Sequence, residues 1–467
     1  MRIPEHEADI LDAYQGLRAP SWLRTPTDPN TLVSALWSAN VERAAGGKLQ
    51  VAGVPVTALA REHGTPAYVV DEDDFRSRAR AFRDAFSTYT VFYAGKAFLC
   101  TEVARWVVAE GLHLDVCSGG ELAVAVRAGV PPERIGMHGN NKSDTELVRA
   151  LDIGVGSIVV DSATEIERLS TLAAQRHVPA PILLRVTAGV EARTHAYVAT
   201  AHEDQKFGFS IRGGGALRAA LRVVRDPNLL LLGLHSHIGS QIFDTTGFEV
   251  ATRRVLTLHG QIASQTGYTC PELGLGGGFG IAYTTQDDPQ SPRQLAWHLS
   301  SIVADECRAL GLAVPQLSVE PGRSIAGPTT FTLYEVGSVK RVTLDAGVVR
   351  TYVSVDGGMS DNIRAALYDA DYSCTLASRA SDAEPVLARV VGKHCESGDV
   401  VVKDEYLPGD VSAGDLLAVP GTGAYCRSLA NNYNHVPRPA VIAVRNGRSR
   451  VVVRRETEDD LLRLDVG

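Results

Sequence analysis

The chain has 467 residues, 45% of them hydrophobic and 21% charged, with 46 Lys and Arg against 54 Asp and Glu and a formal net charge of −8 at pH 7. This length predicts two domains, and an acidic balance without a lysine- or arginine-rich face excludes a nucleic-acid binder in favour of a small-molecule ligand. The 7 cysteines form no CxxC and no regular spacing, which predicts reduced thiols in a cytoplasm.

The first residues, MRIPEHEADILDAYQG, are acidic and interrupted, unlike a signal peptide with its basic start and apolar centre. The run LLLLGL from Leu229 is too short to span a membrane. GKLQVAGVPVTALAREHG, residues 47–64, has a strand-and-turn texture, so residues 1–70 are expected to pair with a β domain further on. The first 45 or so residues receive no role.

From residue 90 to about 323, β-rich runs alternate with amphipathic stretches. The runs are TVFYA, LHLDV, RIGMH, SIVVD, PILLRV, LLLLGLHS, ELGLGG and QLSVE, and eight such units predict a closed (β/α)8 barrel over residues 71–327. An open doubly wound sheet is the alternative. RGGGA at residues 212–216 follows none of these runs and is expected to be a loop. Beyond residue 327, β-branched segments punctuated by Gly, Pro and Asp predict an antiparallel β domain over residues 328–467.

In such a barrel the chemistry sits at the C-terminal ends of the strands. There the sequence places Lys96 in YAGKA, Asp115 in LDVCSGGE, HGNNKS, His237 in HSHIGSQ, the glycines of GLGGGFG, and Glu320 and Arg323 in VEPGR. Each residue alone could be structural. Together they suggest a lysine amine able to condense with an aldehyde, a phosphate held by backbone amides, and a flat ring to stack, which is pyridoxal phosphate.

A carboxylate at Glu320 would keep the pyridine nitrogen protonated, and Gly95 and Ala97 would leave room beside Lys96. Lys142, among polar neighbours, is expected to remain a charged ammonium near the mouth. His235 and His237 are expected on opposite sides of their strand, and with no HExxH or His/Cys spacing no metal is expected. Gly276, Gly277, Gly278 and Gly280 do not fit GxGxxG, so a dinucleotide site is not supported. In the second domain, GKHCESGD carries Cys395 and Glu396, GTGAYCRS carries Tyr425, and Arg364 and Tyr368 stand one helical turn apart.

YAGKA, HSHIGSQ, LGGGFG, EPGRS, GGMSDNIRAALY, KHCESGD and GAY, in this order from about residue 66 to 440, resemble the fold type III pyridoxal-phosphate decarboxylases, most closely the diaminopimelate decarboxylases. The resemblance implies that Lys96 carries the cofactor, His237 stacks on its ring and Glu320 pairs with its nitrogen. It places Ser240, Gly278, Gly322 and Arg323 at the phosphate, with Asp115, Gly277 and Tyr425 also in the cofactor site. It further implies a head-to-tail homodimer whose partner supplies the HCES loop, with Cys395 as proton donor.

For an amino acid substrate with a distal amino acid centre, Arg323 and Arg364 would pair with the distal carboxylate and Glu396 with the ammonium, beside Tyr368 and Tyr425. An ornithine- or arginine-type decarboxylase ranks second, because its substrate would leave two arginines unpaired. A non-catalytic relative on the same barrel is the third reading, disfavoured by the presence of both Lys96 and Cys395.

Overall fold

Runs of aliphatic residues without polar alternation suit strands covered on both faces, by helices outside and packed side chains inside. The computed structural model describes residues 19–190, 206–344 and 347–467; the stretch weighed as a signal peptide lies outside them. The described residues divide into one unit within 76–280 and 289–325 and another within 19–75, 281–288 and 326–467. Residues 281–288, expected in the barrel, thus cluster with the second unit.

The first unit contains β1 (Thr90–Ala94), β2 (His113–Val116), β3 (Ile135–Met137), β4 (Ser157–Val160), β5 (Ala180–Thr187), β6 (Leu229–His235), β7 (Glu272–Gly274) and β8 (Gln316–Val319). Each pairs in parallel with the next, and β8 closes on β1 with Ser318 opposite Thr90. The sheet is a closed eight-stranded barrel. A further strand, Phe209–Ser210, pairs in parallel with the end of β5 and leads into the helix Gly215–Arg225. Arg212–Gly214 thus form the expected turn, and Gly215 and Ala216 begin the helix.

Several helix starts are legible as S-x-x-E/Q. Ser118, Ser143 and Ser162 accept from the backbone N–H of Glu121, Glu146 and Glu165, and Ser291 from that of Gln294. Each such cap contributes about 1 kcal/mol. The caps leave only Cys117–Ser118 between β2 and its helix and Asp161–Ser162 between β4 and its helix, so strand-end side chains rest on short, pinned loops.

The second unit is built on Thr330–Thr343, whose first half pairs with Ala67–Asp71 and Leu416–Pro420 and whose second half pairs with Val349–Val355. The register shifts between Val336 and Ser338, at Gly337. The domain is mixed and not purely antiparallel: Val349–Val355 runs parallel to Pro385–Val391, and Ala67–Asp71 parallel to Ala440–Arg445. Parallel pairing needs a long crossover, and both connections are long, the second containing the whole barrel.

Residues 47–64 give Leu49–Val51 and Val54–Pro55 of a separate three-stranded sheet and then the helix Val56–His63. The expectation of strands fails at Val56 because Val56 and Leu59, three apart, bury one helical face. Leu49, Val51, Val56 and Leu59 join a core with Val69, Phe331, Leu333, Ala418 and Ile442. Among the described residues, no helix is long and apolar enough to cross a membrane.

Candidate active site

The C-terminal ends of the barrel strands surround a cavity of about 270 Å3 whose lining includes Lys96, Asp115, His138, Arg185, His237 and Glu320. A cavity of this size suits one small ring. Lys96 follows β1 and is exposed. Its small neighbours serve packing more than access: a Cβ at Gly95 would come within 2.7 Å of the Asp115 carbonyl oxygen, and Ala97 is fully buried.

Lys142 behaves differently from its expectation. It is 2% exposed, and its Nζ donates to Gly139 O, Val159 O and Glu165 Oε1, each at 2.7 Å. Burial lowers its pKa against the pull of Glu165. With three donors committed to three acceptors it is a structural lysine, which leaves Lys96 as the amine of the cavity.

Glu320, just past β8, sits among imidazoles. His235 Nε2 is 2.6 Å from Glu320 Oε1, and His138 Nε2 is 3.9 Å from the same oxygen and 3.1 Å from Asp115 Oδ1. Burial alone would raise the Glu320 carboxyl; the neighbouring histidines, with the hydrogen bond to His235, outweigh it and hold the group well below the usual carboxylate range. Asp115 goes the other way, pushed up by burial and by Glu320. Burial depresses His138 to about 4 and also lowers His235 and His237. The negative charge therefore rests on Glu320.

His235 ends β6 and His237 stands two residues beyond it; both line the same cavity, contrary to the expectation of opposite faces. Gly277 N donates to His237 Nδ1 at 3.2 Å. The glycine run has a packing cause: a Cβ at Gly277 would lie 2.1 Å from Glu320 O and one at Gly278 2.2 Å from Gly239 O. Arg323, 6% exposed, donates from Nη2 to Ser240 Oγ at 2.8 Å.

Asp115 Oδ2 and His235 Nδ1 are buried without a hydrogen-bond partner, polar atoms that a bound polar group could satisfy. Together with Lys96 and the ionised Glu320, they fit a pyridoxal cofactor. Among the described residues, His138, His235 and Glu320 also lie close enough to hold a metal ion, but His235 Nε2 and Glu320 Oε1 already satisfy each other.

The remaining expected residues belong to the second unit. Arg364 opens the helix Arg364–Tyr368; it is buried, its guanidinium carbon stands 4.7 Å from the Tyr283 ring centroid, and it donates to Tyr372 OH. Burial would lower its pKa, but Tyr283 and Tyr372 more than offset this and keep it charged. Tyr368, on the same helix, is partly exposed.

Cys395 and Glu396 are exposed on a loop pinned at its base by Asp399, which accepts from Met359 N at 2.6 Å and His394 N at 2.7 Å. Tyr425 has a left-handed backbone, φ 64°, a conformation that costs a non-glycine residue roughly 1–3 kcal/mol and persists only where its surroundings hold it. His138 and Arg185 received no role from the sequence. One stands directly after a strand, and the other is a charge inside a run buried on both faces.

A diaminopimelate decarboxylase of Mycobacterium tuberculosis is 57% identical over 443 residues, covering 93% of this chain and 98% of its own. One from Bacillus subtilis is 46% identical over 424 residues, 90% and 95% of the two chains. The crystal structure of the M. jannaschii diaminopimelate decarboxylase in complex with L-lysine matches with a TM-score of 0.85 at 28% identity, covering 92% of this chain and 98% of that one. A Vibrio vulnificus lysine/ornithine decarboxylase, at 23% identity and a TM-score of 0.70, shares the fold.

The closed barrel with its cavity lysine and imidazole-held carboxylate defines a pyridoxal-phosphate enzyme, and residues 72–327 match the family model for the pyridoxal-dependent decarboxylase, pyridoxal binding domain. Within that family the chain belongs to the diaminopimelate decarboxylases.

Proposed function

We propose that this chain converts meso-2,6-diaminopimelate to L-lysine and carbon dioxide, the last step of lysine biosynthesis. The observation that carries the chemistry is Glu320, a largely buried carboxylate held ionised in the same cavity as Lys96. Identity of 57% to a named diaminopimelate decarboxylase supports the substrate.

Lys96 would hold the cofactor covalently, His237 would lie against its ring, and Asp115, Ser240, Gly277, Gly278, Gly322, Arg323 and Tyr425 would complete its site. Bound there, pyridoxal 5'-phosphate supplies an electron sink for the carbon that loses carbon dioxide. Glu320 holds a proton at the ring nitrogen, which makes that sink effective. Cys395 then delivers a proton to the carbon left by the carboxylate.

At the distal end of the substrate, Arg323 and Arg364 offer planar guanidinium forks to a carboxylate and Glu396 an anion to an ammonium, with Tyr368 and Tyr425 alongside. The Cys395–Glu396 loop acts in the partner's site of a head-to-tail homodimer. The seven free cysteines support a reducing, cytoplasmic setting.

Carbon dioxide release from a panel of diamino acids tests the assignment. Diaminopimelate should be turned over and ornithine, arginine and lysine left essentially untouched. Preference for ornithine or arginine would favour the basic amino acid decarboxylase, and no release from any substrate by cofactor-loaded protein would favour a non-catalytic relative.

A further inference from the structure

The barrel has been shaped around two side chains that sequence motifs do not single out as a pair. A Cβ at Gly136, on β3, would lie 2.8 Å from Asp115 Oδ1, and a Cβ at Gly274, at the end of β7, would lie 2.9 Å from His235 Cδ2. Both glycines sit within strands, where a side chain would ordinarily pack and where glycine marks a close approach. They make room for one carboxylate and one imidazole on either side of His138.

His138 stands at the centre of this arrangement. Its ring meets that of His235 edge to face, with centroids 5.1 Å apart and planes at 75°. Its Nε2 lies between two carboxylates, 3.1 Å from Asp115 Oδ1 and 3.9 Å from Glu320 Oε1. His235 Nε2 reaches the same Glu320 oxygen at 2.6 Å.

We infer that His138 is a positioning residue: paired with Asp115 at 3.1 Å and standing 3.9 Å from Glu320 Oε1, beyond hydrogen-bond reach, its ring keeps the two carboxylates apart and limits the turning of Glu320 while His235 holds Oε1, which leaves the second Glu320 oxygen for the cofactor ring nitrogen. This deepens the proposed function and rests on it for the identity of the cofactor. Without His138, Glu320 keeps one imidazole and can turn about it. Two carboxylates would then face each other without the ring that separates them, and Asp115 could compete for the charge that Glu320 must carry. Burial, with the nearby positive charges of Arg185, Lys142 and Lys96, favours a neutral His138 ring.

The test uses the position of the imidazole nitrogens. Gln places an amide nitrogen near the Nε2 position of His, whereas Asn reaches only the Nδ1 position. His138→Gln and His138→Asn are loaded with pyridoxal phosphate labelled with 15N in the ring and examined by NMR without substrate, after thermal melts confirm folding. His138→Gln should keep the protonated-nitrogen signal of the wild type and a kcat within about threefold of it. His138→Asn should move that signal toward the unprotonated form and lower kcat about tenfold with KM unchanged, a loss of about 1.4 kcal/mol in the barrier.

Identical ring-nitrogen signals in the two variants would overturn the inference. Should His138→Asn not fold, His138→Leu takes its place with the same two outcomes. Since the signal is read without substrate, its failure leaves the diaminopimelate assignment standing, and failure of that assignment in the carbon dioxide assay leaves the signal interpretable.

Discussion

Lys142 Nζ and Glu165 Oε1 form an ion pair sealed from water, 2.7 Å apart with side chains 1% and 4% exposed. Removing one member strands the other charge in the interior, which typically costs about 3–5 kcal/mol. Lys142→Met should therefore lower the melting temperature sharply. The same melt for Lys96→Ala should be close to wild type, because that lysine is exposed. Equal destabilisation by both would undo the division of labour between the two lysines.

Lys96→Ala should also lose the visible absorption of covalently held cofactor and nearly all turnover. Retention of that absorption would return the role to another amine.

Glu320→Gln should keep the cofactor bound but reduce kcat by roughly 10²-fold, within the range of a lost proton-holding or charge-stabilising group. The neutral amide can still meet His235, so folding should survive. Wild-type turnover would remove the electron-sink role from Glu320.

Lys96→Ala and Cys395→Ala, each inactive, should complement one another when mixed under conditions that allow subunit exchange. A mixed dimer with a shared site has one centre carrying both lesions and one carrying neither, so equal amounts should regain roughly a quarter of wild-type activity. No recovery, with exchange verified by mass, would place Cys395 in its own subunit's site.

Glu405 gives a pH dependence whose direction follows from its burial. Burial pushes its carboxyl from an ordinary 4.5 up to about 7, against the hydrogen bonds it accepts from the backbone of Tyr406 and Cys374. Between these values Glu405 binds its proton more tightly in the folded chain than in the unfolded chain, so its contribution to stability is fully present below pH 4.5 and is lost as pH rises through about 7. The loss amounts to about 3 kcal/mol at 1.36 kcal/mol per unit. Denaturant titrations at pH 5 and pH 8 should show it, with a shallower dependence in Glu405→Gln. An unchanged slope in that variant would assign the effect elsewhere, first to Asp361, which burial also raises to about 7.

The barrel was legible because most residues of its eight strands are buried, which leaves short, largely apolar runs in the sequence even where a polar residue such as Asp115 or Arg185 interrupts them. The site was legible where a residue stood directly after such a run, as Lys96, His237 and Glu320 do. Lys142 was misjudged because its sequence neighbours Asn141 and Ser143 are polar, while the acid that pairs with it, Glu165, comes from the next strand–helix unit.

Arg185 was missed for the opposite reason: its neighbours Leu184 and Val186 are buried and apolar, and the charge inside that run was itself the signal. Phe209–Ser210 is too short for any periodicity to register. The parallel pairings of the second unit depend on which distant segments meet, a property that strand texture does not encode.

The base of the Cys395 loop is fastened by one carboxylate, that of Asp399, and by His394, whose two ring nitrogens meet Ser360 Oγ at 2.8 Å and Asn434 Oδ1 at 3.0 Å. A short exposed tip on so firm a base has few conformations to surrender on meeting another surface. Loosening the base, as in Asp399→Ala, would restore that freedom and charge its loss against every encounter. In the proposed homodimer the consequence would be felt less in how often subunits meet than in how long they stay together, since changes within one interface act mainly on dissociation.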